Sequence, residues 1–247
     1  MSEVYIKIIG CGDAFGSGGR AQTCFYIYTK TCNFLIDCGA TSVSALKSHR
    51  IHPSNLDYIL ISHLHGDHFG GLPFIILDSI QNPRNKPLQI IGSQDLEECT
   101  WKLFNILYPG TEDKIDKQKF YFQEYTSLQE FETKAFSVLP FPVIHSEKVH
   151  PHGLRINFNH KIISYSGDTE WCDYLIPLSR DADVFICECC YYSASVKGHL
   201  NYQTLLAKLP QLNFKNILLT HLDEDLLKHK DSLALQCAYD GMELVIQ

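Results

Sequence analysis

Three histidines and an aspartate fall within six positions, His63-Leu64-His65-Gly66-Asp67-His68. The apolar run before them, Tyr58 to Ile61, reads as a buried strand of β-favouring residues. His63 and His65 stand two apart, so in extended backbone they project to one side. Asp67 and His68 follow where the chain turns, through Gly70-Gly71, into a helix beginning at Leu72. Imidazole and carboxylate together suit zinc or a similar borderline divalent ion. Four such side chains in six residues can hardly surround a single ion and leave every other group of the site unused, so two adjacent metals are the more economical reading. Two dications ~3.5–4 Å apart need a shared carboxylate, and they bring the pKa of water towards roughly 7, giving a nucleophile at neutral pH.

The elements that must position this chemistry follow one pattern: a ligand-type residue stands where an apolar strand stops. His145 follows the strand-like Ala135–Ile144 run, and Asp168 follows Ile162–Tyr165. Glu188 leaves the Val184–Cys187 run, and His221 ends Asn216–Thr220. A site at one edge of a layered α/β sandwich, on loops held by a rigid scaffold, has this placement. Rivals exist for three of these residues. His150 and His152 bracket Pro151 and read as loop residues, Asp173 lacks a strand before it, and His229 falls in a charged segment.

His63-Leu64-His65-Gly66-Asp67-His68 matches the HxHxDH signature of the metallo-β-lactamase fold superfamily. From Gly10-Cys11-Gly12-Asp13 to Thr220-His221 the chain resembles the compact ribonuclease Z-like branch of metal-dependent hydrolases. The resemblance implies an α/β fold, a four-layer αββα sandwich of two mixed sheets flanked by helices. It implies one metal on His63, His65 and His145, a second on Asp67, His68 and His221, and Asp168 bridging them. Glu188 and His199 resemble the acidic and histidine motifs that pass a proton to the departing oxygen, and with Asp67 they form the implied catalytic set. The departure of an alkoxide asks for such an acid. A histidine at position 65, where redox di-iron members commonly carry a carboxylate, favours two zinc ions over manganese or iron.

One departure bears on the substrate. Transfer-RNA-processing members carry a long basic arm, often between the third histidine and the bridging aspartate. Here 22 residues separate His145 from Asp168, and a hairpin around Asn159-His160 uses most of them. The leading expectation is therefore a phosphodiesterase acting on small or nucleotide-like phosphodiesters, with RNA less favoured as a partner. A 3′-processing endoribonuclease is the runner-up and a lactone or thioester hydrolase comes third. A metal-binding regulatory protein is the alternative outside enzymes.

The 247 residues, 45% hydrophobic, show evenly spaced elements without a linker, which reads as a single domain over 1–247. Strand-rich halves on either side of residue 125 suggest two sheets face to face. A formal charge of −7 argues against a general nucleic-acid binder. With no signal-peptide pattern and no membrane-length apolar run, the expectation is a soluble cytoplasmic protein without a membrane partner. Most of the ten cysteines, Cys24, Cys187 and Cys237 among them, sit inside apolar runs and read as small buried thiols.

Three element expectations come from pattern alone: a helix over Ser93–Leu107 capped by Ser93, a mobile polar loop over Thr111–Lys119, and a helix near Ser232–Tyr239. The loop of positions 10–19, with five glycines, reads as a turn between strands in preference to a substrate-side loop. Tyr191, Tyr192 and Lys197 suit contacts to a base and a phosphate, or a homodimer interface, equally well.

Overall fold

A computed structural model describes residues 3–246; Met1, Ser2 and Gln247, the ends of the expected domain, lie outside the described residues. The first sheet gathers β1 (Val4–Gly10), β2 (Cys24–Tyr28), β3 (Asn33–Ile36), β4 (Tyr58–Leu60), β5 (Leu88–Gly92) and β6 (Phe120–Glu124). The second gathers β7 (Phe131–Glu132), β8 (Phe136–Pro142), β9 (His152–Phe158), β10 (Lys161–Tyr165), β11 (Val184–Glu188), β12 (Ile217–Thr220) and β13 (Gln236–Cys237). The change of sheet falls near residue 125, as the sequence suggested. The exception is β14 (Glu243–Ile246), which returns to pair antiparallel with β1.

Each sheet is half antiparallel and half parallel. Strands β3 to β6 run parallel in the first sheet, and β10 to β13 in the second. Parallel strands need crossovers, and the crossovers supply the outer layers. Helices α1 (Ser42–Ser48), α2 (Gly66–Phe69), α3 (Leu72–Gln81) and α4 (Leu96–Leu107) belong to the first half. Helices α5 (Leu175–Ser179), α6 (Tyr202–Lys208) and α7 (Glu224–His229) belong to the second.

Strand periodicity sorts the side chains into layers. Phe34, Ile36, Tyr58 and Leu60 meet Phe136, Ile156, Phe158 and Ile163 between the sheets. Their neighbours Leu35 and Ile59 face outward onto Leu46, Leu72, Ile76 and Phe104 of the helices. On the other side Phe185, Cys187 and Leu219 pack under Leu175, Leu178 and Leu205. Both faces of these strands are apolar, the signature of a sheet covered on each side.

The structure corrects several local expectations. Ser93 does not cap α4: the helix starts at Leu96, after Asp95 in a left-handed conformation at φ 66°. The Thr111–Lys119 segment forms two 3₁₀ turns anchored by buried Ile115, with the Lys117 ammonium over the Trp101 ring. No helix spans Ser232–Tyr239. The helix lies earlier, at α7, where the Asp223 carboxylate accepts the Leu226 N–H at 2.7 Å, and Gln236–Cys237 instead pairs with β12. His152 is no loop residue but opens β9 and is buried. All ten cysteines are free thiols, though Cys32, Cys99 and Cys237 are only half-buried.

Candidate metal centre

The parallel strands deliver their ends to one edge of the sandwich, and the candidate residues meet there. His63 and His65 leave β4, Asp168 follows β10, Glu188 ends β11 and His221 follows β12. Asp67 and His68 sit in α2, whose carbonyls and N–H groups are tied to the exit of β3: Cys38 donates to His68 O at 2.6 Å, and Gly71 donates to Cys38 O at 2.7 Å. His145 arrives from the loop after β8. His221 takes φ 63°, the left-handed bend that turns its ring inward as β12 ends.

Among the described residues four overlapping groups of potential ligand atoms result, two of them with His199 beside Cys190 or Glu188, and the other two make up the predicted ligand set. One is His63, His65, His145 and Asp168; the other is Asp67, His68, Asp168 and His221, and Asp168 belongs to both. His65 Nδ1 lies 3.2 Å from His63 Nε2 and 2.9 Å from His145 Nε2. His221 Nε2 is 3.2 Å from Asp67 Oδ2 and 3.3 Å from Asp168 Oδ2. His68 Nε2 and Asp168 Oδ1 are buried without a hydrogen-bond partner.

The far side of the rings explains why they point this way. His145 Nδ1 donates to Gly198 O at 2.7 Å, and His68 Nδ1 donates to Asp37 Oδ2 at 2.7 Å. Asp37 also accepts the Ser62 N–H at 2.7 Å and the Ser62 hydroxyl at 2.8 Å, while that hydroxyl lies 3.1 Å from His63 Nδ1. With these outer nitrogens donating, Nε2 of His63, His68 and His145 presents a lone pair inward. Converging lone pairs, orphaned acceptors and two carboxylates form a donor set that fits divalent cations.

Burial and neighbouring charge divide the rings into two groups. Burial lowers the pKa of His63, His65 and His145, keeping the imidazoles neutral, the form a metal requires. For His68 and His221 burial is again the largest influence and acts the same way, but the surrounding carboxylates together outweigh it, Asp168, Asp67 and Asp37 at His68 and Asp168, Asp67 and Glu188 at His221, and raise both, His221 to about 9. Asp67 and Asp168 are held below the usual carboxylate range, burial being overcome by His68 and His221 around them.

Beside the cluster Glu188 and His199 form a close hydrogen-bonded pair through Oε1 and Nδ1. Glu188 is fully buried, and its Oε2 accepts the N–H of Leu200 at 2.9 Å and of Thr169 at 3.2 Å. Burial, reinforced by Asp168, pushes the Glu188 carboxyl well up, while burial pushes the His199 imidazole down. A protonated Glu188 donates to Nδ1, and the neutral imidazole then carries its own proton on Nε2. The cavity itself is about 270 Å³ and is lined by His65, Asp67, Asp168, His199 and His221 together with Asp13, Phe15, Cys190 and Tyr191.

The rivals lie elsewhere. His150 Nε2 reaches Asp95 at 3.3 Å, His152 sits 2.6 Å from the Ser127 hydroxyl, and His229 stacks on Tyr192 with ring centroids 4.1 Å apart. Of the aromatic pair only Tyr191 faces the site, its ring 6.1 Å from His199; Lys197 lines a separate depression with Glu147 and Lys148. Cys190 is a lining thiol that burial keeps protonated. The glycine-rich loop is not merely a turn, since Asp13, Ala14 and Phe15 line the cavity. Asp37 and Ser62 were also missed as site residues, although Asp37 obeys the strand-end rule that located the others.

Two mixed sheets flanked by helices, with the histidine and aspartate cluster at one edge, define the metallo-β-lactamase fold in its ribonuclease Z-like form. The chain belongs to the family described as Anti-Pycsar protein Apyc1, whose model matches residues 4–238. It is 24% identical over 225 residues to the Bacillus subtilis (strain 168) protein described as "Probable metallo-hydrolase YhfI", covering 88% of this chain and 86% of that protein. It is also 24% identical over 239 residues to Anti-Pycsar protein Apyc1 of Bacillus phage BSP38, covering 92% and 91%. The solved structure of the short form of human tRNase Z superposes with a TM-score of 0.76 at 21% identity, covering 98% of this chain and 99% of that one. Among the described residues no helix is long and apolar enough to cross a membrane.

Proposed function

We propose that the chain is a single-domain, metal-dependent phosphodiesterase acting on a small, nucleotide-like phosphodiester. In this reading His63, His65 and His145 hold one divalent ion, Asp67, His68 and His221 hold the other, and Asp168 serves both, with zinc the first candidate. The ions, when bound, supply electrophilic polarisation of a phosphoryl group and an activated water. The protein's own residues supply the rest. Asp37, Ser62 and the Gly198 carbonyl fix the imidazole tautomers.

The observation that carries the proposal is the Glu188–His199 pair, His199 on the cavity wall and Glu188 buried behind it. Departure of an alkoxide from phosphorus asks for an acid, and in this reading His199 gives it the Nε2 proton while Glu188 hands its own proton to Nδ1. A lactone or thioester hydrolase has less use for that acid, and a regulatory metal protein has none. The cavity size supports a small substrate over an RNA chain.

The test compares two esters that share a nucleoside and differ in leaving group. For thymidine 5′-(methyl phosphate), His199→Ala should cost roughly 10²–10⁴ in turnover, the usual yield of a positioned acid. For thymidine 5′-(p-nitrophenyl phosphate), whose leaving oxygen needs no proton, the loss should stay under about tenfold. Equal losses on both esters, with metal content retained, would remove His199 from the acid role.

A further inference from the structure

Phe15 is 90% exposed, more than any other large apolar side chain among the described residues. It also lines the cavity that holds the histidine and aspartate cluster. A single exposed apolar side chain is ordinary on a surface, but this one stands at the rim of a polar, carboxylate- and imidazole-lined cavity. The backbone that carries it is held in place. Buried Asp13 accepts the N–H of Phe15 at 3.2 Å and of Ser17 at 2.9 Å through Oδ1, and the Ser17 hydroxyl at 2.7 Å through Oδ2. Gly16 follows at φ 69°, and the loop is tied onward by Gly18 N–H to Glu224 at 2.7 Å and by Gln22 Nε2 to Ala14 O at 3.3 Å. The backbone is therefore built to hold one aromatic ring out at the mouth of the site.

Two aromatic rings line the cavity, and they are not equivalent. Tyr191 is already packed edge-on to His199, and its backbone bonds Leu200 and Tyr202. Among the described residues Phe15 has no aromatic partner, so its π-face is open. The rest of the lining is dominated by His65, Asp13, Asp67, Asp168, His199 and His221, which would not receive an aliphatic tail. A ligand with an anionic ester at the cluster and a flat ring beside it fits both halves.

We infer that Phe15 is a stacking platform for the heteroaromatic base of the substrate, and that it sets a preference for nucleotide esters over phosphodiesters without a base. This rests on the phosphodiesterase reading and deepens it. Stacking on a protein ring tolerates any base, because every base has a π-face. The platform thus selects the nucleotide class without choosing among its members.

The experiment has a binding arm and a turnover arm, both on zinc-loaded full-length protein. Calorimetry compares thymidine 5′-monophosphate with 2-deoxyribose 5-phosphate. Wild type should bind the nucleotide about tenfold more tightly, Phe15→Ala should bring the two within about twofold, and Phe15→Trp should restore the gap. In turnover, the kcat/KM ratio of thymidine 5′-(p-nitrophenyl phosphate) to methyl p-nitrophenyl phosphate should collapse in Phe15→Ala and recover in Phe15→Trp, with the change carried by KM. An unchanged binding ratio in Phe15→Ala, or a wild type without the preference, overturns the platform. If wild type hydrolyses neither ester the phosphodiesterase reading fails, while the binding ratio still decides the role of Phe15.

Discussion

Asp37 shows how much of the candidate centre depends on residues that would touch no metal. Its two oxygens accept from the Ser62 N–H, the Ser62 hydroxyl and His68 Nδ1, and it is fully buried at φ 57°. Asp37→Asn replaces one acceptor with a donor and takes away the partner that fixes the His68 tautomer. Partners of this sort typically matter by 10–100-fold, so zinc affinity should fall by about that factor with the fold retained. A competition titration with a chromophoric chelator reads it, and unchanged affinity would mean that His68 is oriented by packing alone. At this scale the ligand-type residues were legible, because chemistry requires their types and strand ends gather them. Asp37 was not, because its partners Ser62 and His68 are distant in sequence and only the β3–β4 register brings them together.

At the scale of elements, the metal loop is set against the exit of β3 by backbone contact. A Cβ on Gly39 would collide with the carbonyl of Asp67 and with the Gln22 side chain. Gly39→Ala should therefore push Asp67 out of place and cost about 1–3 kcal/mol in stability, the usual range for overpacking. Urea unfolding beside a zinc titration would show both losses together; a loss of stability with normal zinc affinity would place the strain elsewhere. A milder change is expected at α6, where the Asn201 side chain accepts the Thr204 N–H at 2.8 Å. Asn201→Ala should cost about 1 kcal/mol by denaturant unfolding, and no loss would mean the cap is redundant. That cap was readable from sequence, since asparagine before an apolar helix is a local signal. The C-terminal region was not. Leu233 and Cys237, four apart, share a face of a helix, but Leu235 between them keeps the period of two of a strand, pairing with β12 claims Gln236–Cys237, and the real helix α7 is too polar to announce itself.

Over the whole molecule, the two-sheet architecture was visible because apolar strands on either side of residue 125 are sorted into an inner and an outer face. The return of β14 to the first sheet was not visible, since nothing local to Glu243–Ile246 says which edge it will cover. The overall charge of −7 makes acid stability a property of individual paired carboxylates. Asp183 is one: burial raises its pKa, but Lys215 at 2.7 Å and the Ile162 N–H at 2.8 Å outweigh it and hold it below the usual 3.8. A depressed folded value stabilises the native state above the ordinary pKa, and that stabilisation disappears as pH falls through the folded value. Asp183→Asn should therefore be less stable than wild type near neutrality, and the gap should close as pH drops below about 4. Urea midpoints across that range would decide it, and a gap independent of pH would assign the loss to packing.

The central claim is that the clustered histidines and aspartates form a working two-ion hydrolytic centre. The most direct measurement is a zinc titration into metal-stripped protein, reading bound zinc and hydrolysis of thymidine 5′-(p-nitrophenyl phosphate) in the same samples. The account predicts turnover that rises with occupancy and levels off at two equivalents. Two tightly held ions without turnover, or turnover that survives metal removal, would contradict it.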